Sequence, residues 1–426
     1  MDRRPSPGTA AGGGAAAVVA ALIAIMFMGS TLLTPLYVLY QKKLGFSQVT
    51  LTLIYASYVV GNLAALLLFG RLSDLVGRRR VALAAIGLAG VGTLLFLLAG
   101  GTGWLFWARA TSGLAIGLAS GAAAAWLVDL GAADGRDSSR ASLVATSANM
   151  IGLAAGALVG GVLARYAPAP LRLPFIIYLV ALAAIAPLIW RTRETVVAAA
   201  GHGAMSLRPR LGVPADVRVP FLAPAATAFG TFGLLGFYGA LIPSVLAADL
   251  GVTSSAVGGA VVTELCAVAA IAVVATRRLA SRTAMVGGLV LLVPAAWLLV
   301  AAQALASMPI LVAGTALSGV ASALGYRGGL QRASELAPAD RRGEVVSSYF
   351  VVCYAGNSLP VIGVGLVSRA AGPIAASSAF GATITAFALA ALLVAFRSRS
   401  SDRGPMDVEQ GRRAAQRRVR GASRAG

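Results

Sequence analysis

The sequence predicts an all-α membrane protein, with twelve transmembrane helices in two six-helix bundles related by a pseudo-two-fold repeat. Three observations predict it. The 426-residue chain is 58% hydrophobic and 12% charged, with a mean hydropathy of +0.83, whereas a soluble domain carries roughly 25% charge. Apolar runs of about 20 residues recur along the whole length, each long enough for a helix to cross about 30 Å of hydrocarbon. Shifted by 206 residues, the two halves align at their loops. In lipid the backbone must satisfy its own hydrogen bonds, so only helices or closed barrels can span. These runs lack the polar–apolar alternation of barrel strands.

The spans fall near 15–40, 48–69, 81–99, 104–128, 141–163, 171–190, 219–247, 254–276, 284–302, 309–331, 344–367 and 374–396. They form a first bundle (15–190) and a second (219–396), joined by a polar linker, RTRETVVAAAGHGAMSLRPRLGVPADVR (191–218). The first span is too long and too poorly flanked to be a cleaved signal peptide. The N-terminal residues 1–14 and the basic tail 397–426 are poor in apolar residues and read as disordered.

Charge gives the orientation. With the N-terminus inside, the inner segments hold 28 Lys and Arg, and the outer loops hold five: Lys42, Lys43, Arg165, Arg172 and Arg369. That asymmetry satisfies the positive-inside rule. A multi-pass protein of the cell (inner) membrane with both termini cytoplasmic is expected. The net charge of +20 is a topology signal spread over loops and tails, and no nucleic-acid partner is inferred from it.

The repeat is visible at equivalent loops. LGFS (44–47) meets LGVT (250–253), ATSGLA (110–115) meets ALSGVA (316–321), and DLGAADGR (129–136) meets ELAPADRR (335–342). Two six-helix halves in parallel repeat are a transporter architecture with its site at the midplane between them.

The stretch GRLSDLVGRRR (70–80) concentrates charge between two apolar runs. Here the chain resembles the major facilitator superfamily, over residues 15 to 396, and most of all its 12-helix drug–proton antiporter branch. The family signature between helices 2 and 3, G-x-L-x-D-x-x-G-R-R/K-R/K, is met by Gly70, Leu72, Asp74, Gly77, Arg78, Arg79 and Arg80. The link must turn tightly, which glycine permits. The resemblance implies that Asp74 makes a contact across the halves in one state, as a gate. The alternative is a solvated loop that only sets topology. The second-half copy, TRRLASRTAM (276–285), keeps cations but has lost the acid and both glycines.

Further signatures lie within spans. In the fourth, Arg109, Gly113, Gly117 and Gly121 share one helical face, and the glycines suit close packing. The resemblance is to R-x-x-x-G, whose arginine is linked with proton coupling, although Arg109 could instead snorkel outward beside Trp104 and Trp107. In the fifth, Gly152, Gly156, Gly160 and Gly161 resemble the antiporter signature G-x-x-x-G-P-x-x-G-G, with Ala157 in place of the proline.

Charge inside a span is costly and is generally functional. Besides Arg109, Glu264 in the eighth span and Arg327 in the tenth lie well inside. Glu264 is expected to exchange a proton, to form a static pair with Arg327, or to contact substrate directly. Tyr37, Asn62, Asn149, Tyr238, Tyr326, Tyr354 and Asn357 are candidates to line the substrate cavity. An apolar cavity with a few such groups suits an amphipathic organic molecule.

Other chemistry is not expected. Cys266 and Cys353 lie within spans, His202 stands alone in the linker, and no phosphate-cradling loop occurs. No enzyme activity, cofactor or metal is inferred, and a monomer is expected. The resemblance implies a secondary active transporter working by alternating access, with proton-coupled efflux of small amphipathic molecules as the leading expectation. An importer or uniporter of a small metabolite is the alternative, followed by a non-transporting, receptor-like relative. The partners expected are a small-molecule substrate, protons and the lipid bilayer.

Overall fold

Among the described residues, twelve helices are long and apolar enough to cross a membrane. The structure is a computed structural model and describes residues 9–70, 72–133, 138–196, 211–338 and 340–395. The tail 397–426, residues 1–8 and His202 lie outside the described residues. In the first half the spans are α1 (Gly14–Leu44), α2 (Gln48–Phe69), α3 (Arg78–Leu97), α4 (Thr102–Ala133), α5 (Arg140–Tyr166) and α6 (Leu173–Arg191). In the second they are α7 (Ala215–Ala248), α8 (Ser255–Ala275), α9 (Ser281–Ala304), α10 (Met308–Leu336), α11 (Arg342–Ala371) and α12 (Pro373–Ala395). An even number of crossings puts both ends of the chain on one side, called here the terminus side.

The first span is not one helix. It runs from Thr9 to Leu32, tightens into a 3₁₀ turn at Thr34–Leu36 and resumes over Tyr37–Leu44. Pro35 has no N–H to continue the ladder. The loops that follow α1 and α7 also explain one sequence alignment. Gly45 and Gly251, one repeat apart, both sit at φ +68°, a left-handed position that glycine occupies without a Cβ penalty.

Eight helices form a closed ring in the order α1, α5, α8, α10, α7, α11, α2, α4. In the first half α3 and α6 pack behind the ring. In the second half α9 packs on α10 and α7, while α12 stacks Phe380 and Phe387 on Phe237 and Phe229 of α7. The two halves therefore meet along two seams, α5 with α8 and α2 with α11.

Glycine makes the tight seams. A Cβ on Gly152, Gly156 or Gly160 would strike the carbonyl of Ala24, Met28 or Leu32 in α1. One on Gly161 would come within 2.7 Å of the Ser255 carbonyl, and Gly161 faces Gly259 across the α5–α8 seam. Gly113 and Gly117 do the same for α4 against α2, whereas Gly121 faces open space. The fifth-span glycines thus form both the seat of α5 on α1 and the seam to the other half.

Candidate functional site: the inter-half cleft

The hydrogen bonds that cross between the halves run from the side opposite the termini to just past mid-span. Thr34 Oγ1, beside the break in α1, donates to the Gly239 carbonyl at 3.0 Å. Thr263 of α8 donates to the Ala154 carbonyl of α5 at 3.0 Å. On the other seam Tyr55 and Asn357 exchange a bond at 3.3 Å, and the Asn62 amide donates to the Tyr354 hydroxyl at 3.0 Å. Near the far end a Cβ on Gly365 of α11 would lie 2.8 Å from Thr52 Oγ1 of α2. Among the described residues, none of these hydrogen bonds and no ion pair joins the halves in the last third of the spans on the terminus side.

Exposure along α5 agrees. On its inward stripe Ser142 is exposed, Thr146, Asn149 and Leu153 are half-buried, and Gly156, Gly160 and Ala164 are buried. The inward stripe of α5 is thus more exposed towards the termini than towards the far side, while Met150 of α5 still packs against the Ala269, Ala272 and Ala323 cluster of the second half. Asn149 Oδ1 has no partner there. On the second half Phe232 meets Tyr326 and Tyr354 edge-on, at 5.5 and 5.9 Å between ring centroids. These half-buried rings and the Asn62–Tyr354 bond make an aromatic corner with polar edges.

Other expected residues lie elsewhere. Tyr238 is fully buried inside the second bundle, where its hydroxyl accepts from Thr315 and Ser318 of α10. Arg109 does not snorkel: it is 1% exposed, and its guanidinium donates to the Ser30 carbonyl at 3.0 Å. The rings of Tyr37, Tyr55 and Tyr58 surround it. In this structure Arg327 does not pair with Glu264. Its guanidinium donates to the carbonyls of Thr276, Arg277 and Leu279 at the terminus-side end of α8. Glu264 lies twelve residues earlier, about 18 Å away along the helix.

The face on which Glu264 sits follows from helical phase. Ala260, Ala267 and Ile271 are exposed, and with Glu264 they follow the i, i+4, i+7, i+11 pattern of one stripe. The opposite stripe, Gly258, Val262, Leu265 and Ala269, is buried. Glu264 is therefore half-buried on the partly exposed stripe of α8, close enough to Tyr238 to act on it electrostatically, with no hydrogen-bond or ion-pair partner among the described residues.

The charged loop between α2 and α3 is an organised cluster. Gly70 ends α2, and Leu72 opens a short helix, Leu72–Val76. Arg78 bridges Asp74 at 2.5 Å and Asp129 at 3.2 Å, and donates to Ser73 at 2.6 Å. Arg79 lies over the Trp190 ring and donates to its carbonyl. The carboxylate of Glu194, at the start of the linker, accepts the backbone N–H of Arg78 at 2.9 Å and of Arg79 at 3.0 Å. A carboxylate at a helix N-terminus is favoured by the dipole and satisfies orphan donors. Gly77, at φ +109°, leaves room for it, since a Cβ there would be 2.6 Å from Glu194 Oε2. Among the described residues Asp74 is paired within its own loop and with no residue of the other half.

Sequence reasoning missed Glu194, Asp129, Tyr55 and Tyr58 as site residues. Glu194 had one signal: it is the acid of the linker nearest the end of α6.

Two bundles joined along two seams, with polar and aromatic groups lining the cleft between them, fit a polytopic membrane transporter. The chain belongs to the Major Facilitator Superfamily, whose pattern matches residues 19–359. Among curated proteins none matches it in sequence. Its fold is similar to that of the nucleoside transporter NupG, with a TM-score of 0.69 at 14% identity over 89% of this chain and 99% of that one. It is also similar to a bacterial homologue of the human lysosomal transporter Spinster, in an inward-facing and unoccupied conformation. There the TM-score is 0.66 at 15% identity, over 93% of this chain and 96% of that one.

Proposed function

We propose that this chain is a secondary active transporter that exports small amphipathic organic molecules by alternating access, coupled to protons. The observation that carries the reading is a cleft between two bundles joined by bonds at the far side and mid-span, whose α5 lining becomes more exposed towards the termini. The excess of Lys and Arg in the terminus-side segments supports a cytoplasmic terminus side, and on this reading the cleft is reached from the cell interior. Its lining supports the substrate class. Asn62, Asn149, Tyr326, Tyr354 and Phe232 offer rings and neutral polar groups without a fixed charge, which suits a molecule with an apolar body and a polar edge.

Proton coupling rests on Glu264, the one carboxylate of the chain at mid-span. A carboxylate within a span is generally functional, and one that no cation pairs can take up and release a proton as its surroundings change.

The test is transport in proteoliposomes with an imposed pH gradient and a panel of amphipathic dyes. Uphill movement should follow the gradient, and Glu264→Gln should abolish it while leaving downhill exchange intact. Uphill transport that persists in Glu264→Gln removes the proton role. Crosslinking a Thr52→Cys/Gly365→Cys pair should lock the far side and stop all transport.

A further inference from the structure

The buried cation of α4 touches both bridges between α2 and α11. Tyr55 is the partner of Asn357, and Tyr58 shares the Asn62 amide with Tyr354. The Arg109 guanidinium lies 5.6 Å from the Tyr55 ring centroid and 4.9 Å from that of Tyr58. Tyr37, from the resumed helix of α1, stands at 5.7 Å. Arg109 Nε has no hydrogen-bond partner, and no carboxylate pairs with the side chain among the described residues.

A guanidinium taken out of water needs compensation, and aromatic faces supply it where no acid does. The dependence runs both ways. If either tyrosine swings towards the cleft, its ring leaves the cation; if the cation is removed, nothing charged holds the rings against α4. The Tyr55 hydroxyl engages Asn357 of the opposite half directly, and the Tyr58 hydroxyl accepts from Asn62 of its own helix, whose amide also reaches Tyr354.

We propose that Arg109 is a positioning residue for the α2–α11 bridges. Its guanidinium holds Tyr55 where its hydroxyl meets Asn357, and Tyr58 against Asn62, whose amide reaches Tyr354, so a charge buried in the first half sets how firmly the α2–α11 seam stays closed. This rests on the alternating-access reading above. It differs from a relay role, since Arg109 touches neither the cleft nor a titrating acid in this structure.

The readout is labelling of a Thr52→Cys reporter by a membrane-impermeant maleimide from the far side, in a Cys266→Ala/Cys353→Ala background. Thr52 is fully buried in the α2–α11 seam, so it labels only when that seam opens. Arg109→Gln should raise the labelling rate roughly tenfold, the response to losing one or two such bonds, and Asn62→Ala/Asn357→Ala should do the same. The triple variant should show no further rise, because the three residues act through one element. A melting temperature that falls in Arg109→Gln while labelling stays parental means plain packing, and overturns the proposal. So does a triple variant whose effects multiply. Should Arg109→Gln not be recovered from membranes, Arg109→Lys carries the test: it keeps the charge and loses the flat fork. An intermediate rise then supports the proposal, and parental labelling overturns it. If the Thr52→Cys/Gly365→Cys crosslink leaves transport intact, alternating access falls and takes this role with it. If the crosslink blocks transport and only the arginine arm fails, the role alone is lost.

Discussion

The loop between α2 and α3 and its counterpart between α8 and α9 occupy equivalent places in the repeat, yet they are held by opposite means. In the first half an anion caps the start of a helix: Glu194 accepts the N–H groups that open α3, and Asp74 and Asp129 hold Arg78 beside it. In the second half a cation caps the end of a helix: Arg327 reaches from α10 to the carbonyls of Thr276, Arg277 and Leu279. The acid equivalent to Asp129 is Glu335, which accepts from Ser281 at 2.9 Å. Both arrangements complement a helix dipole, at its positive and negative ends respectively. The second half lost its acid and glycines without losing the anchor, because the carbonyl end of α8 offered a substitute.

The comparison can be broken from the largest effect down. Asp74→Asn should slow transport at least about tenfold, about 1.4 kcal/mol on the barrier. Its stability cost should stay below about 1 kcal/mol, because Asp74 is half exposed and Asp129 still holds Arg78. Full transport by the well-expressed variant would remove Asp74 from the mechanism.

Gly77→Ala should cost about 2–3 kcal/mol of stability in detergent, as a strained backbone position that must also displace Glu194. A melting temperature equal to the parent would mean that the carboxylate is not seated against α3.

Glu194→Gln and Arg327→Gln sharpen the contrast between the two caps. Glu194→Gln loses charge-assisted bonds from two N–H groups and should cost about 1–2 kcal/mol. Arg327→Gln should cost at most about 1 kcal/mol, and high salt should shrink both differences. Reversal of that order would show the second-half anchor to be the stronger.

The smallest effect is at Asp249, in the loop after α7. Burial pushes its carboxyl above the usual carboxylate range, and Oδ2 has no partner. The folded protein then holds this proton more tightly than the unfolded chain. Stability is fullest below the unfolded value of about 4 and falls as pH rises from there towards the folded value. Asp249→Asn should raise the melting temperature at pH 7 by an amount worth less than about 1 kcal/mol, and the gain should vanish in acid. A gain that persists below pH 4 would assign it to packing instead.

Much of this was legible in the residues. Gly45 and Gly251 align in the sequence because both loops need the same left-handed residue. The glycines of α5 announced a close helix contact, which Ala24, Met28 and Leu32 provide. The site was less legible. Arg109 has nothing in its own span to show that three tyrosines from α1 and α2 enclose it. The Glu194 contact joins residues more than a hundred positions apart, and no local pattern marks it.

Hydropathy, loop charge and the 206-residue repeat determined by themselves that twelve helices cross a membrane in two similar halves. These are properties of a segment and its solvent, so a segment suffices to read them. The tertiary structure alone decided which face of each helix meets which neighbour. Glu264 and Arg327 look like partners when depth is counted along two spans, but they are kept apart by helical phase and by the carbonyls that Arg327 caps at the end of α8. Arg109 is near a span end by count and is nonetheless buried, because α1 breaks at Pro35 and brings Tyr37 over it. Every helix in such a chain is apolar nearly all round, so periodicity carries little information about its inner face. Packing supplies what the pattern lacks.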